Sequence, residues 1–300
     1  MHEGLKRFGA LGIAFIFGSV AVWALLLILI PHVMLIDYAF HANPGAIKKG
    51  LAEEGFTFYP FLPLFDLQDD LALRTFIRTL LTSGVITVLA LVVCYPVAYY
   101  LAKVATNKWL SILMLCLLVP YWVNEVLRAY SWRTLMSRNG LLNQALTGMG
   151  LAPFEWFNYE LPVLDSNIAL FVGLIYSYVL FMIFPMFNAM ESLDKNQVEA
   201  ARDLGAGWAR VHRLIVIPHA KPGIASGCIV MFMLTAGSYI VPVLLGGKSS
   251  FWFTQAIESQ FSVLNWNGGS AYSLVLELVC LIFVLVMMKV FRVTLRDITK

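Results

Sequence analysis

Residues 166–190 read SNIALFVGLIYSYVLFMIFPMFNAM and contain no Asp, Glu, Lys or Arg. Roughly 20 consecutive apolar residues cross the hydrocarbon core of a bilayer as one helix, so this stretch alone is long enough. It lacks the apolar–polar alternation of a membrane strand. The rest of the chain is built in the same way. Of its 300 residues, 60% are apolar and 13% charged, whereas about 25% are charged in soluble domains. That composition excludes a soluble globular protein and a disordered chain, and it predicts an integral membrane protein.

Four more uncharged runs occupy residues 8–36, 79–102, 109–124 and 222–247. A sixth apolar segment, about 270–291, is interrupted only by Glu277. The predicted fold is all-α, with six transmembrane helices. Lys6 and Arg7 precede the first run, and Ser19-Val20-Ala21 resembles a signal-peptide cleavage site. The apolar residues continue through Ile30, however, so the run reads as an uncleaved first span. With the N-terminus inside, segments 1–7, 103–108, 191–221 and 289–300 carry net +7 and the outer segments net −3. Lys and Arg favour the cytoplasmic side, so both termini are cytoplasmic. The organisation that follows is an N-terminal span with a long outer segment (1–73), a five-helix core (74–291) and a cytoplasmic tail (292–300). Outer segments 37–73, with its acidic stretch 66–70, and 132–165 are long enough for short interfacial helices.

Several chemistries drop out. Cys94, Cys116, Cys228 and Cys280 lie inside apolar runs without a CxxC pair and read as buried small hydrophobes. His2, His32, His41, His212 and His219 are too scattered for a metal site. None lies mid-span, where a membrane hydrolase would need a base. Gly247-Lys248-Ser249 resembles the end of a phosphate loop, but Pro242 stands where that loop needs glycine. No cofactor, metal or catalytic residue is expected in this chain.

The cytoplasmic loop 191–221 carries the most information. Asp194 is placed as an N-cap with Gln197 completing a capping box, and Leu193 and Val198 are placed as a hydrophobic staple. Gly205 fits the position after a helix end where a left-handed backbone suits glycine. A second short helix is predicted to present Trp208, Val211, Leu214 and Ile215 on one face and to end at Pro218. Such a pair is either a rigid knob for a soluble partner or an ordinary linker.

Glu199-Ala200-Ala201, then Gly205, Ile215, Ile217 and Pro218, resembles the signature of permease subunits of binding-protein-dependent ABC importers. Arg78-Thr79-Leu80, Tyr95-Pro96-Val97-Ala98-Tyr99, Pro120-Tyr121-Trp122, Asn139-Gly140-Leu141-Leu142-Asn143 and Leu244-Leu245-Gly246-Gly247 are similar to the spermidine/putrescine branch. The likeness covers roughly residues 70–290. It implies a type I importer bundle in the bacterial inner membrane. It also implies a second, related permease chain, two cytoplasmic ATPase subunits that use ATP and Mg, and a periplasmic solute-binding protein. Glu199, Ala200, Ala201, Gly205, Ile215 and Pro218 are then the ATPase-coupling residues.

A polyamine path needs aromatic faces and carboxylates. Tyr121, Trp122, Glu125, Tyr239 and Glu277 are the candidates. Glu125 either recognises a cation at the pore mouth or pairs with Arg128. Glu277 is either functional or held by a hydrogen bond or a partner permease. Tyr239 either lines the path or packs, and Glu258 either meets the binding protein or is solvated. Another small solute (an amine, a phosphonate or ferric iron) is the alternative cargo. An ion-coupled secondary transporter is a more distant reading, because internal repeats are missing.

Overall fold

The structure, a computed structural model, describes residues 12, 15–41, 56–65, 71–137, 140–149, 167–246 and 250–293. In chain order its helices are α1 (Phe15–Phe40), α2 (Leu71–Val104), α3 (Asn107–Trp122), α4 (Glu125–Met136), α5 (Leu141–Gly148) and α6 (Asn167–Glu191). They continue with α7 (Lys195–Asp203), α8 (Trp208–Ala236), α9 (Ile240–Leu245), α10 (Phe253–Ser262) and α11 (Trp266–Phe291). Among the described residues α1, α2, α6, α8 and α11 are long and apolar enough to cross a membrane. The pair α3 and α4 makes a sixth candidate span, bent by 96°. The bend falls where the apolar run ends. Asn124 leaves the helical conformation, and its side chain accepts the Val126 N–H at 2.8 Å, capping α4.

Two compact units divide the chain, residues 1–70 with 257–276 and residues 71–256 with 277–300. In the first, α1 exposes apolar side chains around its circumference, and Ala39 is its buried residue among those described. Phe40, at its end, stacks on Phe56 at 4.9 Å between ring centres. The Asn267 amide donates to the carbonyls of Tyr38 at 2.9 Å and His41 at 2.5 Å, fastening the start of α11 to the end of α1. A 3-10 turn, Tyr59–Leu64, lies in the outer segment 37–73, and α5 lies in 132–165.

In the second unit α8 packs along α6, and α2 packs against both. The α6–α8 contact is close because of glycine. A Cβ on Gly223 would lie 2.3 Å from the Pro185 carbonyl oxygen and 2.6 Å from the Ala189 Cβ, and one on Gly227 would lie 2.9 Å from the Met182 sulfur. Small residues let helices associate where lipid supplies no hydrophobic drive. Three buried hydroxyls are satisfied locally: Thr79, Thr87 and Thr235 each donate to the carbonyl four residues back at 2.8 Å. Thr79 also accepts the Phe253 N–H at 2.9 Å, fixing the start of α10.

The prolines depart from expectation. Pro218 does not end a helix; α8 runs unbroken from Trp208 through Pro218 and Pro222 to Ala236. A π-turn, His212–Val216, precedes it, with the Ile217 N–H on the His212 carbonyl. The same arrangement, Leu25–Leu29 with the Ile30 N–H on Leu25, precedes Pro31 in α1. A proline ring presses on the carbonyl four residues back. An i→i+5 turn opens the ladder at that point, so the helix continues instead of breaking. The span expected at 222–247 is accordingly shifted. It begins at Trp208, stops at Ala236 and is followed by the short α9. Cys116 is exposed, unlike the buried Cys94, Cys228 and Cys280. His2, residues 66–70, 247–249 and 294–300 lie outside the described residues.

Replacing Gly223 by Ala is expected to lower the unfolding free energy by about 1–3 kcal/mol, the usual cost of overpacking. Thermal unfolding in detergent checks this. Gly84→Ala serves as control, since a Cβ there meets nothing within 4 Å.

Candidate functional site

The loop between α6 and α8 forms a knob with both ends fixed. Asp194 accepts the Asn196 N–H at 3.0 Å, so its side chain caps α7 at the second position. Among the described residues no bond from the Gln197 side chain returns to Asp194, and the Gln197 N–H meets the Asp194 backbone carbonyl at 3.2 Å, so an N-cap forms without the expected capping box. Leu193 is buried and Val198 packs against the same core. At the other end the Ala206 N–H meets the Ala201 carbonyl at 3.0 Å and the Gly205 N–H meets the Arg202 carbonyl at 2.8 Å. This is a Schellman motif, which needs a left-handed residue at Gly205, and Gly205 has φ +79.

On this knob Glu199, Ala200, Gly205 and Pro218 are exposed, whereas Ala201 and Ile215 are partly buried against the core. Leu204 is 88% exposed beside Gly205, although no feature of the sequence singled it out. The expected common face of the second helix is split. Val211 is buried, while Trp208 and Leu214 are exposed. The π-turn inserts an extra residue into the period and rotates Leu214 away. His212 is buried, with Nδ1 2.6 Å from the Tyr95 hydroxyl oxygen.

A second cluster forms where α3, α4, α6 and the α8–α9 break meet. The Tyr178 hydroxyl donates to the Glu125 carboxylate at 2.8 Å and lies 3.2 Å from the Ser238 hydroxyl. The Tyr121 hydroxyl donates to the Tyr176 carbonyl at 2.9 Å and accepts the Leu180 N–H at 3.2 Å. Those two α6 groups are a donor and acceptor four residues apart, so the Tyr121 hydroxyl sits at one rung of the α6 ladder. Arg128 is buried, and its guanidinium carbon lies 4.4 Å over the Tyr121 ring and 5.9 Å from the centre of Tyr176. Its Nε and Nη1 have no hydrogen-bond partner among the described residues.

Glu125 and Arg128, one turn apart on α4, therefore each have a different neighbour, tyrosine in both cases. Among the described residues no ion pair joins them. Of the other path candidates, Trp122 is 83% exposed, Tyr239 is 40% exposed at the N-cap of α9, and Glu277 is exposed on α11. Tyr176 and Tyr178 complete the cluster; neither is a candidate from the sequence, although Tyr176-Ser177-Tyr178 interrupts the apolar stretch 168–187 with three hydroxyls. Ser238, adjacent to the candidate Tyr239, is the residue that reaches Tyr178. Among the described residues no three His, Cys, Asp or Glu side chains gather to hold a metal.

Comparison with known proteins adds a family. The model described as "Binding-protein-dependent transport system inner membrane component" matches residues 69–296. The spermidine/putrescine transport system permease protein PotB of Haemophilus influenzae is 29% identical over 286 residues, 94% of this chain and 93% of that one. PotB of Escherichia coli K12 is 30% identical over 271 residues, 89% of this chain and 94% of that one. A chain of a bacterial ABC transporter that imports the acidic polysaccharide alginate superposes with TM-score 0.70 at 19% identity, covering 97% of each. A second chain, from an alginate transporter bound to its pentasaccharide-loaded periplasmic protein, gives TM-score 0.72 at 17% identity, covering 98% and 99%. At those identities the two structures establish a shared fold.

Tyr178→Phe removes the hydroxyl that the Glu125 carboxylate accepts. A hydrogen bond to a charged group contributes about 1.5–3 kcal/mol. The variant is expected to unfold at lower temperature in detergent by a corresponding amount, read by scanning fluorimetry.

Proposed function

This chain belongs to the family of binding-protein-dependent transport system inner membrane components, and we propose that it is the permease of an ATP-driven importer of a polyamine. The observation that carries the reading is the near full-length likeness to relatives named for spermidine and putrescine. On this reading a second permease chain completes the pathway, two ATPase subunits bind ATP and Mg, and a periplasmic binding protein delivers the solute. The chain itself does no chemistry.

The capped knob 191–221 is suited to receive the ATPase. Exposed Glu199, Ala200 and Leu204 would meet the ATPase surface, with small Ala200 permitting close approach. Ala201 and Ile215, turned inward, would anchor the knob to α2, α6 and α8. Gly205 would set the turn between α7 and α8, and Pro218 would lie on the exposed side of the continuous α8. Closure of the ATPase pair would then move the bundle as a rigid body between inward and outward states. At the outer end Glu125, held by Tyr178 and not neutralised by Arg128, would accept an ammonium group. Tyr121, Trp122, Tyr239 and Glu277 remain secondary candidates for the path. A second reading rests on Arg128: its buried donors suit an anionic solute such as a phosphonate.

Uptake of labelled spermidine and putrescine separates these readings, measured in a polyamine-auxotrophic strain with this chain deleted and then restored. Restoration is expected to bring uptake back. Gly205→Val, β-branched where φ is positive, is expected to lose transport by at least about tenfold while staying in the membrane, and Gly205→Asn to retain most of it. Normal uptake by Gly205→Val would overturn the coupling role. No polyamine defect on deletion would move the cargo to another solute. Glu125→Gln is expected to raise the half-saturating polyamine concentration by about tenfold, the loss of one charge-assisted contact.

A further inference from the structure

We propose that His212 is a positioning residue that locks the root of α8 to α2, so that a push on the knob moves both helices as one piece. The proposal rests on the coupling role given above to residues 191–221.

The geometry is a clamp. Its centre, His212, is 4% exposed. Its Nδ1 lies 2.6 Å from the Tyr95 hydroxyl oxygen. Its ring centre lies 4.4 Å from that of Tyr99 and 3.9 Å from that of Trp208. Tyr95 and Tyr99 stand one turn apart on α2 and share a face. Trp208 is the first residue of α8, three residues after the Gly205 turn, and His212 opens the π-turn that carries α8 past Pro218.

Two features make this more than packing. First, Nε2 of His212 is buried without a partner among the described residues. The bond to Tyr95 is therefore the hydrogen bond that fixes the ring, and in a low-dielectric setting such a bond is directional where methyl contacts slide. Second, α2 grips the knob at its entry as well. Lys103 donates to the Glu191 carbonyl at 3.2 Å and to the Leu193 carbonyl. The knob thus enters and leaves against the same helix, through Lys103 at one end and Tyr95 and Tyr99 at the other. A displacement of the knob cannot be absorbed at its root while both grips hold.

The test uses the complete transporter (both permeases, the ATPase pair and the loaded binding protein) in proteoliposomes. Tyr95→Phe deletes one hydroxyl and keeps the ring. ATP hydrolysis is expected to stay within about twofold, while spermidine moved per ATP falls about fivefold, the scale of one lost hydrogen bond. His212→Phe is expected to do the same, and the double variant no worse than the poorer single one, because both cut one link.

A second measurement does not depend on the solute. Nitroxide labels at Asp203→Cys and Val92→Cys, in a chain without other cysteines, report the knob-to-α2 distance by pulsed electron resonance. With Tyr95 present the distance is expected to be the same without nucleotide and with ATP and vanadate; in Tyr95→Phe it is expected to differ. A parent distance that already changes, or a Tyr95→Phe variant that matches the parent in this measurement, overturns the clamp. If Gly205→Val fails while Tyr95→Phe transports normally, the clamp falls and the coupling role stands. If Gly205→Val transports normally, the coupling role falls first.

Discussion

Between α6 and α8 two backbones touch: where Gly223 would carry a Cβ, the carbonyl oxygen of Pro185 lies 2.3 Å away. Lipid tails are as apolar as leucine, so burying apolar surface gains little here and dispersion between well-fitted surfaces has to hold the helices. Gly223 and Gly227 make that fit along one stripe of α8. With α8 fixed against α6, the two ends of the pair are fixed too. At one end Tyr178 of α6 lies 3.2 Å from Ser238 just beyond α8, and at the other Ser192 lies 2.9 Å from His219. The outer tyrosine cluster and the inner knob are thus attached to the same pair of rods.

Rods that carry force cannot end at every proline. Pro218 and Pro31 each follow an i→i+5 turn, and Pro222 and Pro185 lie inside continuous helices. Each lost N–H costs a hydrogen bond, and the cost is tolerable because neighbouring helices and local widening re-satisfy the backbone. The widened turn at His212–Val216 also faces His212 inward. His212, at its start, supplies a polar contact to α2.

The long apolar runs announced the spans, because their signal is composition and length alone. Asp194 and Gly205 announced the knob, because capping and a positive φ depend on neighbours in sequence. What could not be read was whatever depends on partners distant along the chain. Tyr121 reaches the α6 ladder across 55 residues, and His212 reaches Tyr95 across 117. Pro218 misled because proline in water-soluble helices usually terminates, and the π-turn that rescues it has no local signature. Glu125 has Arg128 as its helical neighbour in the sequence, yet its partner is a tyrosine on another helix.

The turn at Gly205 bears on handedness. A Cβ built there meets no atom within 4 Å, and φ is +79. Crowding therefore raises no objection to a side chain; the objection comes from the chain's own carbonyl geometry, which penalises L-residues in that region by roughly 1–2 kcal/mol. A D-alanine introduced by semisynthesis would have its side chain on the other branch and would adopt this conformation without strain. The site discriminates between mirror images and has room for a Cβ, so glycine stands there as the achiral substitute for a residue the ribosome does not supply.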